Sequence, residues 1–262
     1  MSKFVLVGTQ RSGTTLLRSA LGSHPEILCL GEVFLLNKSV RRQGGLMMGK
    51  DLSAGFSSWR ELGYQRYLER SMVRQLGHWL FRWGVTRRYL DKLYATPGYR
   101  AIGFKLMANQ IRKFPAVLPY IENNGIRVVH VLRENPFDIL LSRLALYARG
   151  YAHSASQAGE AVTIHIPTGN LIEQLRTIRD EGMQWKNMFE GRVPYMMVTY
   201  DRFVRDRDAV SPEMLSFLGV DPHVELKSEL VKLNTAPVSE MVQNFEDVSA
   251  CLRATEFAWC IS

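Results

Sequence analysis

The chain has 262 residues, 46% of them hydrophobic, with 33 Lys and Arg against 25 Asp and Glu for a formal net charge of +8. That length and apolar share suffice for one α/β domain with a sizeable core, and no apolar run approaches the ~18 residues of a membrane-spanning helix, so stable membrane insertion is not expected. The positive charge favours an anionic ligand. Its carriers are scattered (Arg41-Arg42, Arg87-Arg88, Arg112-Lys113, Arg202 to Arg207) rather than gathered with interleaved aromatics, which speaks against nucleic acid and for a small polyanion.

Lys3 to Val7 is a β-branched and aromatic run ending at Gly8, and after a polar turn Leu16, Leu17, Ala20 and Leu21 recur at helical spacing. The reading is strand, phosphate-type loop, helix. The opening strand lacks the longer apolar stretch of a secretion signal, so a cytoplasmic location is expected. Ile27 to Leu30 is a short second strand, and Gly31-Glu32 begins the loop that leaves it. Residues 40 to about 98 lose this regularity and become rich in Arg, Trp and Tyr, with helical stretches around Tyr64 to Phe81. They read as a mainly helical insertion in a single 1–262 domain.

Arg100 to Met107 is the next strand, Asn109 to Asn123 a helix, and Gly125 its stop signal. Arg127 to Leu132 (RVVHVL) is the clearest buried strand, with Arg133 at its carboxyl end and Asn135-Pro136 as N-cap and first-turn pair of a helix through about Arg149. Tyr151 to Gly169 has no period and reads as a long mobile loop. Asn170 to Glu173 resembles a capping box, opening a helix with Leu171, Leu175, Ile178 and Met188 inward. Pro194 to Tyr200 is another strand, Pro212 to Leu218 a helix stopped at Gly219, and Asn244 to Asp247 opens a last helix with Val248, Cys251 and Leu252 on its apolar side. Alternating strands and helices predict an α/β, P-loop-like three-layer fold, a central parallel sheet flanked by helices, with ligands at the carboxyl ends of the strands.

Cys29, Cys251 and Cys260 have neither CxxC spacing nor histidines at ligand distance along the chain, so no disulfide framework and no zinc site is indicated. The chemistry starts instead at Gly8-Thr9-Gln10-Arg11-Ser12-Gly13-Thr14-Thr15, which has P-loop glycine spacing. A strand before it and a helix after it put backbone N–H groups and a helix N-terminus where they can hold phosphate or sulfate. The P-loop lysine is absent, because Thr14 occupies its position. Nor does an acid for Mg²⁺ end the best strand, which runs into Arg133. Taken alone, the loop reads equally as a tight βα connection, Arg133 as an ion-pairing arginine and Ser142 as an ordinary helix hydroxyl.

Together these residues resemble the sulfotransferases that use 3'-phosphoadenosine 5'-phosphosulfate (PAPS), in particular bacterial carbohydrate and lipopolysaccharide-type members. Arg11 to Thr15 match a first loop of the form RSGTT. Leu132-Arg133-Glu134-Asn135 with Ser142 match a segment of the form LRENxxxxxxS. Gly103 to Met107 (GFKLM) and VTYDRFVRD ahead of Phe217 to Val220 (FLGV) extend the likeness over most of the chain, residues 40 to 98 excepted. The resemblance implies that Arg11, Ser12, Gly13, Thr14 and Thr15 hold the 5'-phosphosulfate and that Arg133 and Ser142 hold the 3'-phosphate. With no acid placed for Mg²⁺, a metal-independent sulfuryl transfer to a hydroxyl is expected, and carbohydrate, glycolipid and hydroxylated small metabolite stay open as acceptors.

An acceptor hydroxyl must lose a proton as it attacks. In the cytosolic branch of that family a KTH strand supplies a histidine, where this chain reads Lys105-Leu106-Met107 and keeps only the lysine. The carbohydrate-directed members resemble this chain in carrying a glutamate just after the second strand, a place Glu32 fills. Glu32 is therefore the candidate base, against a reading as a solvated acid or an arginine's partner, and Lys105 is expected to face the sulfuryl group. His24, His130 and His153 are the other bases, His130 being read as a core histidine. Lys232, after FLGV, is a further cofactor-binding candidate. A P-loop nucleotide kinase or NTPase and a non-catalytic nucleotide-binding module stand as the competing functions.

Overall fold

The computed structural model describes residues 1–35, 62–149, 163–228 and 236–261. Five strands, β1 (Ser2–Gly8), β2 (Ile27–Leu30), β3 (Ala101–Leu106), β4 (Arg127–Leu132) and β5 (Tyr195–Thr199), form one sheet in the order β2-β3-β1-β4-β5. Every pairing is parallel. The chain leaves β1 towards β2 on one side and leaves β4 towards β5 on the other. The strand order thus reverses between β1 and β4, and the crevice beyond their carboxyl ends is the place where such sheets bind ligands.

Alternation along the strands divides the core into two layers. Phe4 and Leu6 of β1 face one side, where helix α1 (Thr14–Gly22) contributes Leu17 and Leu21 and helix α10 (Arg207–Leu218) contributes Met214, Leu215 and Leu218. Val5 and Val7 face the other. There they meet Tyr89, Leu90, Leu93 and Tyr94 of α4 (Arg82–Tyr94), Tyr120 and Ile121 of α6 (Val117–Asn123), and Trp185 and Phe189 of α8 (Leu171–Phe189). A third cluster joins α7 (Pro136–Arg149) to α8 and α12 (Phe245–Arg253) through Phe137, Leu140, Leu175, Val248 and Leu252. Helices α2 (Tyr64–Glu69), α3 (Met72–Leu80), α5 (Ala108–Lys113), α9 (Tyr200–Arg205) and α11 (Val238–Met241) complete the described set, with a 3-10 turn at Ala258–Ile261.

Several local expectations need correction. The helix expected over Asn109 to Asn123 is two helices, α5 and α6, parted at Phe114-Pro115, since proline restricts the residue before it and removes a helical N–H. Asn170 makes no cap to the backbone of α8, its Oδ1 accepting instead from Gln174 Nε2 at 2.6 Å. Helix α10 starts at Arg207 and carries Pro212 inside it. Asn135, by contrast, caps α7 as read, its Oδ1 accepting from the N–H of Phe137 at 2.9 Å. Of the segment 151–169, residues 151–162 lie outside the described residues. Ile164 forms a parallel bridge to Val242, and the Ile166 N–H donates to Asn244 Oδ1 at 3.0 Å. All three cysteines are free thiols.

Candidate active site

The loop after β1 is closed on itself. Ser12 is fully buried and its Oγ donates to the Thr9 carbonyl at 2.9 Å. A Cβ on Gly8 would lie 2.7 Å from both Ser12 Oγ and the Val131 carbonyl of β4, so only glycine lets the two strands and the loop meet there. Gly13, with φ 94°, is the N-cap of α1; a Cβ on it would stand 2.2 Å from Cδ2 of the Tyr200 ring. Arg11 has φ 70°, a left-handed conformation that costs an L-residue roughly 1–2 kcal/mol. Helix α1 has no side-chain cap and no acid in its first turn. Its leading N–H groups are therefore turned toward the crevice with no helical partner, a setting suited to an anion.

Against this loop stands the carboxyl end of β4. Arg11 Nε donates to Ser142 Oγ of α7 at 2.9 Å. Arg133 pairs with Asp138 at 2.9 Å and lays its guanidinium over the Tyr200 ring, 4.8 Å from the centroid. Its Nε is buried with no hydrogen-bond partner. Burial first, and then the neighbouring positive charge of Arg133, push the Arg11 pKa down. Residues expected at two different phosphates, Arg11 at one and Arg133 with Ser142 at the other, are thus in contact at the point where the strand order reverses. An orphaned buried N–H and two adjacent cations are what a polyanion would satisfy.

The second half of the site lies at the carboxyl ends of β2 and β3. Lys105 Nζ is 3.1 Å from Glu32 Oε1, both side chains being largely buried. Gln110, itself 2% exposed, donates through Nε2 to Glu32 Oε2 at 2.9 Å while its Oε1 accepts from the Met107 N–H at 3.2 Å. The Met107 contact fixes the amide so that its NH₂ can only face the carboxylate. Met107 is 6% exposed. A carboxylate, an ammonium and an amide therefore form one preset cluster, with Glu32 reached from β2, Lys105 from β3 and Gln110 from the helix that follows.

A family model described as "Sulfotransferase family" matches residues 4–224, which takes in both halves of this site. The chain belongs to the sulfotransferase family. No curated protein matches it. Solved structures similar to this sulfotransferase include one from Alicyclobacillus acidocaldarius at 16% identity and TM-score 0.47, covering 97% of this chain and 95% of that one. The sulfotransferase domain of the curacin biosynthetic pathway stands at 17% and 0.47, covering 100% of this chain and 83% of the other. A mouse sulfotransferase complexed with PAP is at 12% and 0.44, with 99% and 88% covered.

Two residues of this candidate site were not singled out from sequence. Tyr200 lies within the matched VTYDRFVRD segment, and the jump from a β-branched strand to an aromatic at the first helical position was the available signal. Gln110 gave none beyond being a polar residue three places after Met107. The histidines are otherwise engaged. His24 Nδ1 accepts from the Glu26 N–H at 3.1 Å, which leaves its Nε2–H to donate to the Asp221 carbonyl at 3.1 Å. His130, fully buried, shares a 2.7 Å hydrogen bond between Nδ1 and the Tyr195 hydroxyl, and burial pushes its pKa down to about 4. His153 and Lys232 lie outside the described residues. Among the described residues no group of three or more His, Cys, Asp or Glu is gathered to hold a metal, and no helix is long and apolar enough to cross a membrane.

Proposed function

We propose that this sulfotransferase moves the sulfuryl group of PAPS to an acceptor hydroxyl, with Glu32 as the base. The observation that carries the reading is the Glu32, Lys105 and Gln110 cluster standing at strand ends of the same sheet whose β1 loop and Arg133 form an anion cradle. PAPS supplies a sulfuryl group on a bridging oxygen whose departure leaves adenosine 3',5'-bisphosphate. Ser12 to Thr15 hold the 5'-phosphosulfate with backbone N–H groups and the start of α1. Arg11, bonded to Ser142, holds the 5'-phosphosulfate with them, and Arg133 and Ser142 hold the 3'-phosphate. Lys232 would belong to the same set.

At the other end Glu32 takes the hydroxyl proton as the acceptor oxygen attacks sulfur, so the O–H bond breaks as the new O–S bond forms. Lys105 has three N–H donors, enough to keep its contact with Glu32 and to stabilise the bridging oxygen as the S–O bond breaks. Gln110 keeps the second carboxylate oxygen in place. The acceptor is a carbohydrate, a glycolipid or a hydroxylated metabolite. Cations and N–H donors at the leaving phosphate do the work that Mg²⁺ does in kinases, so turnover should persist in excess EDTA.

Thermal unfolding with added nucleotide tests the assignment. Adenosine 3',5'-bisphosphate should raise the midpoint by several degrees and ATP with Mg²⁺ should not. The reverse order would give the site to nucleotide-triphosphate chemistry.

A further inference from the structure

Helix α3 is inside out. Two of its three polar residues face the protein, Gln75 being exposed: His78 Nδ1 lies 2.9 Å from the Tyr64 hydroxyl, and Arg74 sits over the Tyr67 ring at 4.4 Å while donating to the Tyr67 carbonyl at 3.2 Å. Its apolar residues face outward. Met72 is 86% exposed, Val73 81%, Leu76 60% and Trp79 80%, and Phe81 and Trp83, just beyond the helix, are 72% and 52% exposed. No residue of the helix is buried. At 100° per residue, Trp79, Met72, Leu76, Leu80 and Val73 fall in order along one arc of about 120°, so this is one contiguous stripe rather than scattered side chains.

The charge around the stripe selects its occupant. Residues 62–88 contain six arginines and one glutamate, and Arg70, Arg82, Arg87 and Arg88 are exposed. A second copy of the chain would bring these arginines near their own counterparts, because a two-fold interface pairs a patch with the same patch. An anionic surface meets no such opposition. Nine residues span only about 14 Å, too short to cross a bilayer but suited to lying in its interface, where tryptophans and arginines collect.

We propose that α3, with Phe81 and Trp83, docks this sulfotransferase onto the surface of an anionic lipid bilayer. The docking face is joined to the proposed base through few steps. Tyr64, which holds His78, donates its backbone N–H to the carbonyl of Val33 at 2.8 Å, and Val33 follows Glu32. The docking helix is thus tied to the segment that carries Glu32, and the hydroxyl Glu32 serves belongs to an acceptor presented at the membrane. This last clause rests on the function proposed above; the docking does not.

Flotation of the full chain with vesicles tests the docking without any assay of turnover. The protein should float with vesicles of about 30% phosphatidylglycerol in phosphatidylcholine and stay below with phosphatidylcholine alone. Leu76→Ser with Trp79→Ser should lower the bound fraction at least about tenfold with no change in thermal midpoint, since both side chains are already exposed. Arg87→Gln with Arg88→Gln should weaken flotation by severalfold and flatten its salt dependence. Wild-type protein that stays below with anionic vesicles overturns the proposal, and so does a Leu76→Ser, Trp79→Ser protein that floats as wild type does. A wild-type dimer in sedimentation that these two substitutions convert to monomer would give the stripe to a second copy and overturn it equally.

Discussion

At the carboxyl ends of β2 and β3 a carboxylate and an ammonium sit 3.1 Å apart, with a buried amide completing the set, so charge is balanced within the cluster. At the ends of β1 and β4 the balance tips the other way. Arg133 has Asp138, but burial and then the field of Arg133 still lower the pKa of Arg11, and Arg133's own Nε lacks a partner. A balanced cluster keeps its geometry when the ligand is absent and suits a proton transfer that must start from a defined position. An imbalanced one is completed by its ligand and suits anion binding. The contrast predicts that substitutions at the two ends fail differently.

The largest effect should come from the balanced end. Glu32→Gln keeps the shape and removes the proposed proton acceptor, and turnover at saturating substrates should fall ~10²-fold or more. A variant keeping more than about a tenth of wild-type turnover would break the comparison and send the search for a base to the residues outside those described, His153 first.

Next comes Arg133→Ala, which should weaken adenosine 3',5'-bisphosphate binding by about 2 kcal/mol, or roughly thirtyfold, in a calorimetric titration. Adenosine 5'-phosphate, without the 3'-phosphate, should bind variant and wild type alike. Equal losses for both ligands would mean that the two cations act as one undivided site. Smaller, and expected in both stability and binding, is Gly13→Ala. A methyl group there meets the Tyr200 ring at φ 94°, so a loss of about 1–2 kcal/mol in thermal stability is expected, with Tyr200 pushed off Arg133.

A last prediction separates pH effects on folding from those on the site. His130 belongs to neither end, and burial holds its pKa at about 4 against 6.5 when exposed. A base with a lowered folded-state pKa binds its proton more readily when unfolded, so its neutral form supports the fold fully above pH 6.5 and that support is lost as pH falls toward 4. Between pH 7 and 5 the loss should be about 2 kcal/mol. His130→Leu with Tyr195→Phe should flatten that slope in denaturant titrations at the two pH values, leaving any remaining acid limb of the rate profile to the site.

Much of this architecture is legible in the chain. The β-branched runs of β1 and β4 bury both faces of the sheet, and Asn135-Pro136 states the start of α7 outright. Helix α4 falls in the stretch read as mainly helical, but its bounds were hidden, because its inward Val85, Tyr89, Leu90, Leu93 and Tyr94 are mixed with exposed Arg82, Arg87, Arg88 and Lys92, and the stretch reads as basic and aromatic before it reads as periodic. Candidate residues could be named from the chain, but their contacts could not. Nothing in the spacing tells that Arg11 reaches Ser142, 131 positions away, or that Gln110 is the third member of the Glu32 cluster, since those depend on how β1, β2, β3 and β4 are ordered in the sheet. The inverted polarity of α3 was equally out of reach, because an amphipathic pattern does not say which side faces the core.

The division of labour between the two ends is tested most directly by titrating adenosine 3',5'-bisphosphate into wild type, Glu32→Gln and Arg133→Ala side by side. Affinity should stay within about twofold of wild type in Glu32→Gln and fall roughly thirtyfold in Arg133→Ala. Equal loss of affinity in the two variants would contradict it, because binding and proton transfer would then not reside in separate halves of the crevice.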